Sequence, residues 1–228
     1  REVPMIVSAI DVDKLMLMAQ QMSQGVATTL SLFILTLLFA MPLGLLVSFG
    51  RMSKNVIVRN VTKFYISVMR GTPLMLQLLV VYFGPYLLFG ITISPSYRFP
   101  AAVISFSINY AAYFAEIYRS GIESMPAGQY EAANVLGYGK GQTFFKIIFP
   151  QVVKRILPSV TNEIITLVKD TSLAFAIAVL EVFTIAKQIA SAQTSMVPYV
   201  AAGIFYYLFN YLVAFMMERV ERKLNYYH

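Results

Sequence analysis

The sequence predicts an all-α, polytopic membrane bundle of about five transmembrane helices, folded as a single domain over residues 1–228. Three observations predict it. Of the 228 residues, 58% are hydrophobic and only 13% are charged, whereas soluble domains carry about 25% charge. The mean hydropathy is +0.66. Charges are also absent over long runs, with none between Lys14 and Arg51, between Arg70 and Arg98, or between Lys187 and Glu218. Each run exceeds the ~20 apolar residues that carry a helix across a bilayer. Backbone groups in lipid must satisfy one another, and the alternating pattern of a β-barrel is absent, so the spans are helices.

The first span is expected at residues 22–50. Before it, residues 10–23 are amphipathic and suit a position along the interface, so residues 1–22 form an external segment. The second runs over residues 55–88 and contains Gly71-Thr72-Pro73. Proline removes a helix donor and clashes one turn back, so this segment is broken there and is either one kinked span or two helices. The third is expected at 100–119. Residues 120–150 are polar and glycine-rich, with helical pieces too short to cross. The fourth span covers 153–180 and the fifth 198–217.

Charge counting gives the sidedness. Residues 51–63 hold four basic residues and no acid, residues 119–155 hold five basic against two acidic, and the tail adds three basic. Lys and Arg accumulate on the cytoplasmic side. That places residues 51–63, the 120–150 loop and the C-terminus inside, and the N-terminus outside. An odd number of spans argues against two equal inverted halves.

Composition excludes several functions. There is no cysteine, hence no disulfide or thiol metal site, and one histidine, His228. Histidine-based catalysis and a multi-histidine metal site are excluded on that count. The net charge of +7 belongs to cytoplasmic loops of a membrane protein in contact with a lipid bilayer, so no nucleic-acid partner is expected. Because the sequence opens on Arg1 rather than methionine, a short N-terminal piece is expected to be missing, and no cleavable signal is visible.

Within the polar loop, residues 129–136 suit a short helix. Gly137 is placed to end it in a left-handed conformation. Residues 142–149 suit a second short helix ending at Pro150. Ala132 and Ala133 are small enough for another surface to approach closely. Exposed apolar residues beside the membrane mark a partner surface. From the residues alone, packing of this loop on its own bundle is equally open.

Glu131-Ala132-Ala133, three residues, Gly137, and then a hydrophobic stretch ending in proline resembles the EAA loop of ABC importer permease subunits. Arg119-Ser120-Gly121-Ile122-Glu123-Ser124-Met125-Pro126 resembles the lead-in to that loop in the polar amino-acid branch. Arg70-Gly71-Thr72-Pro73-Leu74 and Leu167-Val168-Lys169-Asp170-Thr171-Ser172-Leu173 also resemble that branch. The resemblance covers most of the chain from about residue 28 to 221. It implies the type I importer permease fold in the bacterial inner membrane. It also implies a function: a permease that is not itself an enzyme, moving a polar amino acid. Its implied partners are two ATP-binding cassette ATPase subunits, a second permease copy or close paralogue, and an extracellular or periplasmic amino-acid-binding protein. Glu131, Ala132, Ala133 and Gly137 would couple to the ATPase. No cofactor is expected on this chain. ATP and Mg would be used by the partner, since Gly137-Tyr138-Gly139-Lys140-Gly141 lacks the spacing of a phosphate loop.

Charges inside spans cost roughly 2.5–3.5 kcal/mol each, so they face partners or a wet cavity. Arg70, Glu163, Lys169 and Asp170 are the candidates. Glu163 and Asp170 lie two helical turns apart on one face, with Asn162 and Lys169 on an adjacent stripe. For an amino acid, Arg70 or Lys169 could hold the carboxylate and Asp170 or Glu163 the ammonium, with Thr72 and Asn162 adding neutral hydrogen bonds. Structural pairing of Lys169 with Asp170, and Arg70 capping a carbonyl, fit the residues as well. Glu116 and Arg119, three apart, form a structural pair. Tyr110 and Tyr113 either line a cavity or pack. An ion- or proton-coupled carrier or channel would use Glu163 and Asp170 as a relay. A membrane enzyme would have only Asp170 with Lys169 as an acid–base pair.

Overall fold

The structure is a computed structural model, and it describes residues 12–224. His228 and the part of the expected external segment up to residue 11 lie outside the described residues. All regular structure among these residues is helical.

Helix α1 (Val12–Arg51) is 40 residues long. The stretch expected to lie along the interface is, from Val12 onward, the start of α1. At 1.5 Å per residue α1 reaches about 60 Å, roughly twice a hydrocarbon core, so part of it extends beyond the bilayer. Helices α2 (Val56–Gly71) and α3 (Leu74–Phe89) meet at the expected break, bent by 109°. Asn55 caps α2, its side-chain oxygen accepting from the Ile57 and Val58 N–H groups.

The break is held by side chains that take over what proline removes. Pro73 has no N–H for the Met69 carbonyl one turn back. Gln77 and Asn109 donate to that carbonyl instead, at 3.0 and 3.1 Å. Asn109 also donates to Gln77 Oε1 at 3.0 Å, and Gln77 donates to the Thr72 hydroxyl at 2.8 Å. Both amides are buried, so the freed backbone stays satisfied inside the bundle.

Helix α4 (Arg98–Glu123) is the central post, with α1, α2, α3 and helix α7 (Phe149–Asp170) packed around it. Residues 105–107 and 109–112 of α4 are all buried, as befits a helix enclosed on every side. Close approach depends on glycine. A Cβ on Gly44 of α1 would sit 2.8 Å from the Phe114 Cβ and 3.0 Å from the Ala111 oxygen. One on Gly121 of α4 would meet Ile156 of α7 at 2.2 Å.

Helix α5 (Ala127–Val135) and the single turn α6 (Lys140–Thr143) form the polar loop. The second short helix expected there is not a separate element. From α6 the chain passes through a π turn, Phe144–Ile148, straight into α7. The wider π geometry gives room for Pro150, which has no N–H and crowds the preceding turn, so proline starts α7 rather than ending a helix.

After α7 a 3-10 segment, Thr171–Ile177, leads to helix α8 (Val182–Gln193), and helix α9 (Val197–Leu224) follows. Glu181 caps α8 and has no exposed surface. It accepts from the N–H groups of Phe183 (2.7 Å) and Thr184 (2.5 Å), the Thr184 hydroxyl (2.7 Å) and the Tyr206 hydroxyl of α9 (2.6 Å). Val182 N–H donates to Thr29 of α1 at 3.2 Å. The carboxylate therefore ties α8 to α9, and the neighbouring Val182 N–H ties the same turn to α1.

Length and apolarity alone mark α1 and α9 as spans, and α2 with α3, and 140–177 with α8, as bent pairs. Helix α4 is 26 residues long but carries Ser105, Ser107, Asn109 and Tyr110, all buried against other helices rather than facing lipid.

Candidate functional site

A polar cavity of about 400 Å³ lies between α2, α4 and α7. Arg70, from the last turn of α2, and Glu163, from the middle of α7, both line it. The Arg70 guanidinium lies over the Tyr113 ring, 5.2 Å from its centroid. No hydrogen bond or ion pair engages Arg70 among the described residues. The helix break sets its position: α2 stops at Gly71, so Arg70 stands in the last turn, at the edge of the cavity.

Glu116, Arg119, Ser124 and Arg155 line the same cavity toward the polar loop. Glu116 and Arg119 pair as expected, at 2.6 Å, and Arg119 also pairs with Glu123. Arg51 stands 3.7 Å from Glu116, and Arg155 donates to the Ser124 carbonyl at 3.1 Å.

The other candidates are distributed differently. Thr72 lies at the break, its hydroxyl donating to the Val68 carbonyl at 2.8 Å while accepting from Gln77. Asp170 accepts from the buried Tyr110 hydroxyl at 2.7 Å. Tyr110 therefore does more than pack, which residue type alone did not reveal. Lys169 and Asn162 are exposed on α7. They belong to a stripe of Arg155, Ser159, Asn162, Thr166 and Lys169, spaced four, three, four and three residues apart along one face. Arg155, Ser159, Asn162 and Lys169 are exposed and Thr166 is half-buried. A helix in a bilayer does not present such a stripe to lipid.

In the loop, Gly137 adopts φ +77° and ends α5 as expected. Tyr138 N–H then reaches back to the Ala133 carbonyl at 3.0 Å. Ala133 is buried against its own chain, whereas Glu131 and Ala132 are exposed. Val135 and Leu136 project furthest, at 88% and 73% exposed. Gln151 Nε2 donates to Gln129 at 3.3 Å and to the Ile147 carbonyl at 2.8 Å, anchoring α5 to the base of α7.

An all-helical bundle with a bilayer-length apolar surface and a charged cavity beside a broken helix defines a membrane permease. Comparison with known proteins agrees. The family described as binding-protein-dependent transport system inner membrane component matches residues 40–226, and the chain belongs to that family. It is 38% identical over 208 residues to the L-cystine transport system permease protein TcyB of Bacillus subtilis (strain 168), covering 90% of this chain and 87% of TcyB. It is also 38% identical over 203 residues to the arginine transport system permease protein ArtQ of the same organism, covering 89% and 91%. A crystal structure of an amino acid ABC transporter with histidines superposes with a TM-score of 0.85 at 31% identity, covering 94% of this chain and 99% of that one. The inward-facing MetNI methionine ABC transporter shares the fold, with a TM-score of 0.71 at 17% identity over 93% and 98% of the two chains. The type I importer permease fold expected from the sequence is the fold of this chain.

Proposed function

We propose that this chain is the permease subunit of an ATP-driven importer that moves a polar amino acid across a bacterial inner membrane. One observation carries the reading: Arg70, free of ion pairs, and Glu163 share a cavity that opens beside the polar stripe of α7. An amino acid presents a carboxylate to Arg70 and an ammonium to Glu163, with Tyr113 buttressing the guanidinium. The relatives named for cystine, arginine and glutamine transport support an amino-acid cargo. Asn162, Thr166 and Lys169 line the path beyond the cavity, while Thr72 and Asp170 hold its walls.

The stripe requires water or a second polar surface opposite it, so a second copy or close paralogue completes the path. Five crossings, built on α1, the α2–α3 pair, α4, α7 and α9, put the polar loop and C-terminus in the cytoplasm. There Glu131, Ala132, Ala133 and Gly137 seat the loop on a separate ATPase, two of which consume ATP with Mg. An external binding protein delivers the amino acid. ATP and cargo then shift the population between inward- and outward-open states.

The test is ATPase activity of the assembled complex in proteoliposomes. Arg70→Gln and Glu163→Gln should each reduce cargo-stimulated activity by about tenfold, the equivalent of ~1.4 kcal/mol, and leave basal activity intact. Equal loss of both activities would make these residues structural. Uptake driven by a proton gradient without ATP would sink the reading as a whole.

A further inference from the structure

A second cavity, of about 590 Å³, opens between α1, the end of α4 and the start of α7. Leu45 and Phe49 of α1 form one wall, and Phe145, Phe149, Val153 and Leu157 form the other. No charged side chain lines it. Its volume lies in the ~300–1,000 Å³ range of small-molecule sites.

The π turn contributes Phe144 and Phe145 to the slot. The rings of Phe144, Phe145 and Phe149 pack on one another, with centroids 5.2 to 6.5 Å apart. They cluster along one wall instead of filling the gap toward α1. Leu45, Phe49, Phe145 and Phe149 remain exposed, Phe145 at 70%. Cations flank both walls in the sequence. Arg51 follows Phe49 by two residues, Lys54 lies in the next turn, and Lys146 sits between Phe145 and Phe149 within the π turn. Lys54 and Lys146 are exposed.

We propose that this slot binds an acyl chain of an anionic phospholipid from the cytoplasmic leaflet, with its headgroup between Lys54 and Lys146. Apolar walls take the chain, and the basic rim takes the phosphate. A second copy of this protein fits less well, because it would bring one cationic rim against another. The proposal rests on the cytoplasmic placement of the polar loop and on no step of transport.

The test is photocrosslinking of the full chain in nanodiscs. Phosphatidylglycerol carrying a diazirine in its acyl chain is compared with phosphatidylcholine carrying the same chain. Adducts are mapped by mass spectrometry. Phosphatidylglycerol should label Leu45, Phe149 or Val153 at least about fivefold more than phosphatidylcholine. The pair Lys54→Gln and Lys146→Gln should erase that preference. Leu45→Trp, or Val153→Phe if the first does not fold, should fill the slot and suppress labelling. Three outcomes overturn the proposal: equal labelling by both lipids, labelling confined to the outer face of α2, or a crosslink between two protein copies across the slot. Since the chain has no cysteine, labelling of a single introduced cysteine in the polar loop reads its sidedness. An external loop would refute the placement independently of the lipid result.

Discussion

Replacing Glu181 tests whether one carboxylate ties α8 to α9. Glu181→Ala removes the cap of α8, which costs ~0.5–2 kcal/mol in comparable helices. It also leaves the half-buried Tyr206 hydroxyl without an acceptor, a further ~1–3 kcal/mol. The expected loss is therefore about 1.5–5 kcal/mol. Tyr206→Phe removes only the hydrogen bond to the carboxylate, about 1.5–3 kcal/mol, and leaves the three Thr184 and Phe183 donors in place. Thermal unfolding in nanodiscs reads both, and at about 2–4 °C per kcal/mol Glu181→Ala should lower Tm by roughly 3–20 °C. The double variant should be less destabilised than the sum of the singles by about 1–2 kcal/mol, because both remove the same bond. Additivity within ~0.5 kcal/mol, or a Tm that does not move, would show that Glu181 and Tyr206 do not act together.

Three further outcomes follow from the packing. Gly44→Leu drives a side chain into Phe114 and the Ala111 carbonyl and should cost about 1–3 kcal/mol through overpacking, read as lower Tm and yield. Asn109→Leu leaves Gln77 Oε1 without its donor and should cost roughly 1–3 kcal/mol; restored stability in Asn109→Leu with Gln77→Leu would show that the amide pair is dispensable at the break. Gly137→Val meets no neighbour within 4 Å but must adopt φ +77°, a strain of about 1–2 kcal/mol. It should therefore impair ATPase coupling while Tm falls by only about 2–8 °C and membrane insertion holds, and normal uptake would show that the turn's shape is unimportant.

Much of this fold was legible in the sequence because bilayer constraints are coarse. Charge-free runs located α1 and α9, the Gly71-Thr72-Pro73 triplet located the break, and Gly137 announced the end of α5. Pairing of Glu116 with Arg119 followed from helical spacing alone. The misses share a physical cause: they depend on partners distant in the chain. Glu181 stands beside apolar residues and gives no local sign that Tyr206 and Thr184 will satisfy it, so neither it nor α8 was anticipated. Gln77 and Asn109 are ordinary amides until the bend brings them to the Met69 carbonyl. Pro150 read as a stop, because proline commonly ends helices, but the π turn made it a beginning. Of the six candidate cargo residues, the fold brings only Arg70 and Glu163 into one cavity. Spacing along α7 identified faces correctly. It could not show that Tyr110 would occupy Asp170.

The unbroken run from Lys140 through the π turn to Asp170 gives the molecule a lever. Its 31 residues span about 46 Å at 1.5 Å per residue. A tilt of about 5° imposed at the loop end would therefore sweep the far end through about 4 Å. Glu163 and Lys169 ride on the far half of that arm, whereas Arg70 hangs from a different helix. Rocking the arm changes the distance between the two halves of the proposed cargo site without remaking any bond within α7. The π turn near the fulcrum and Pro158 in mid-arm are the points where hydrogen bonding is looser, and how far they yield would set how much of a push at the loop arrives as motion at the cavity.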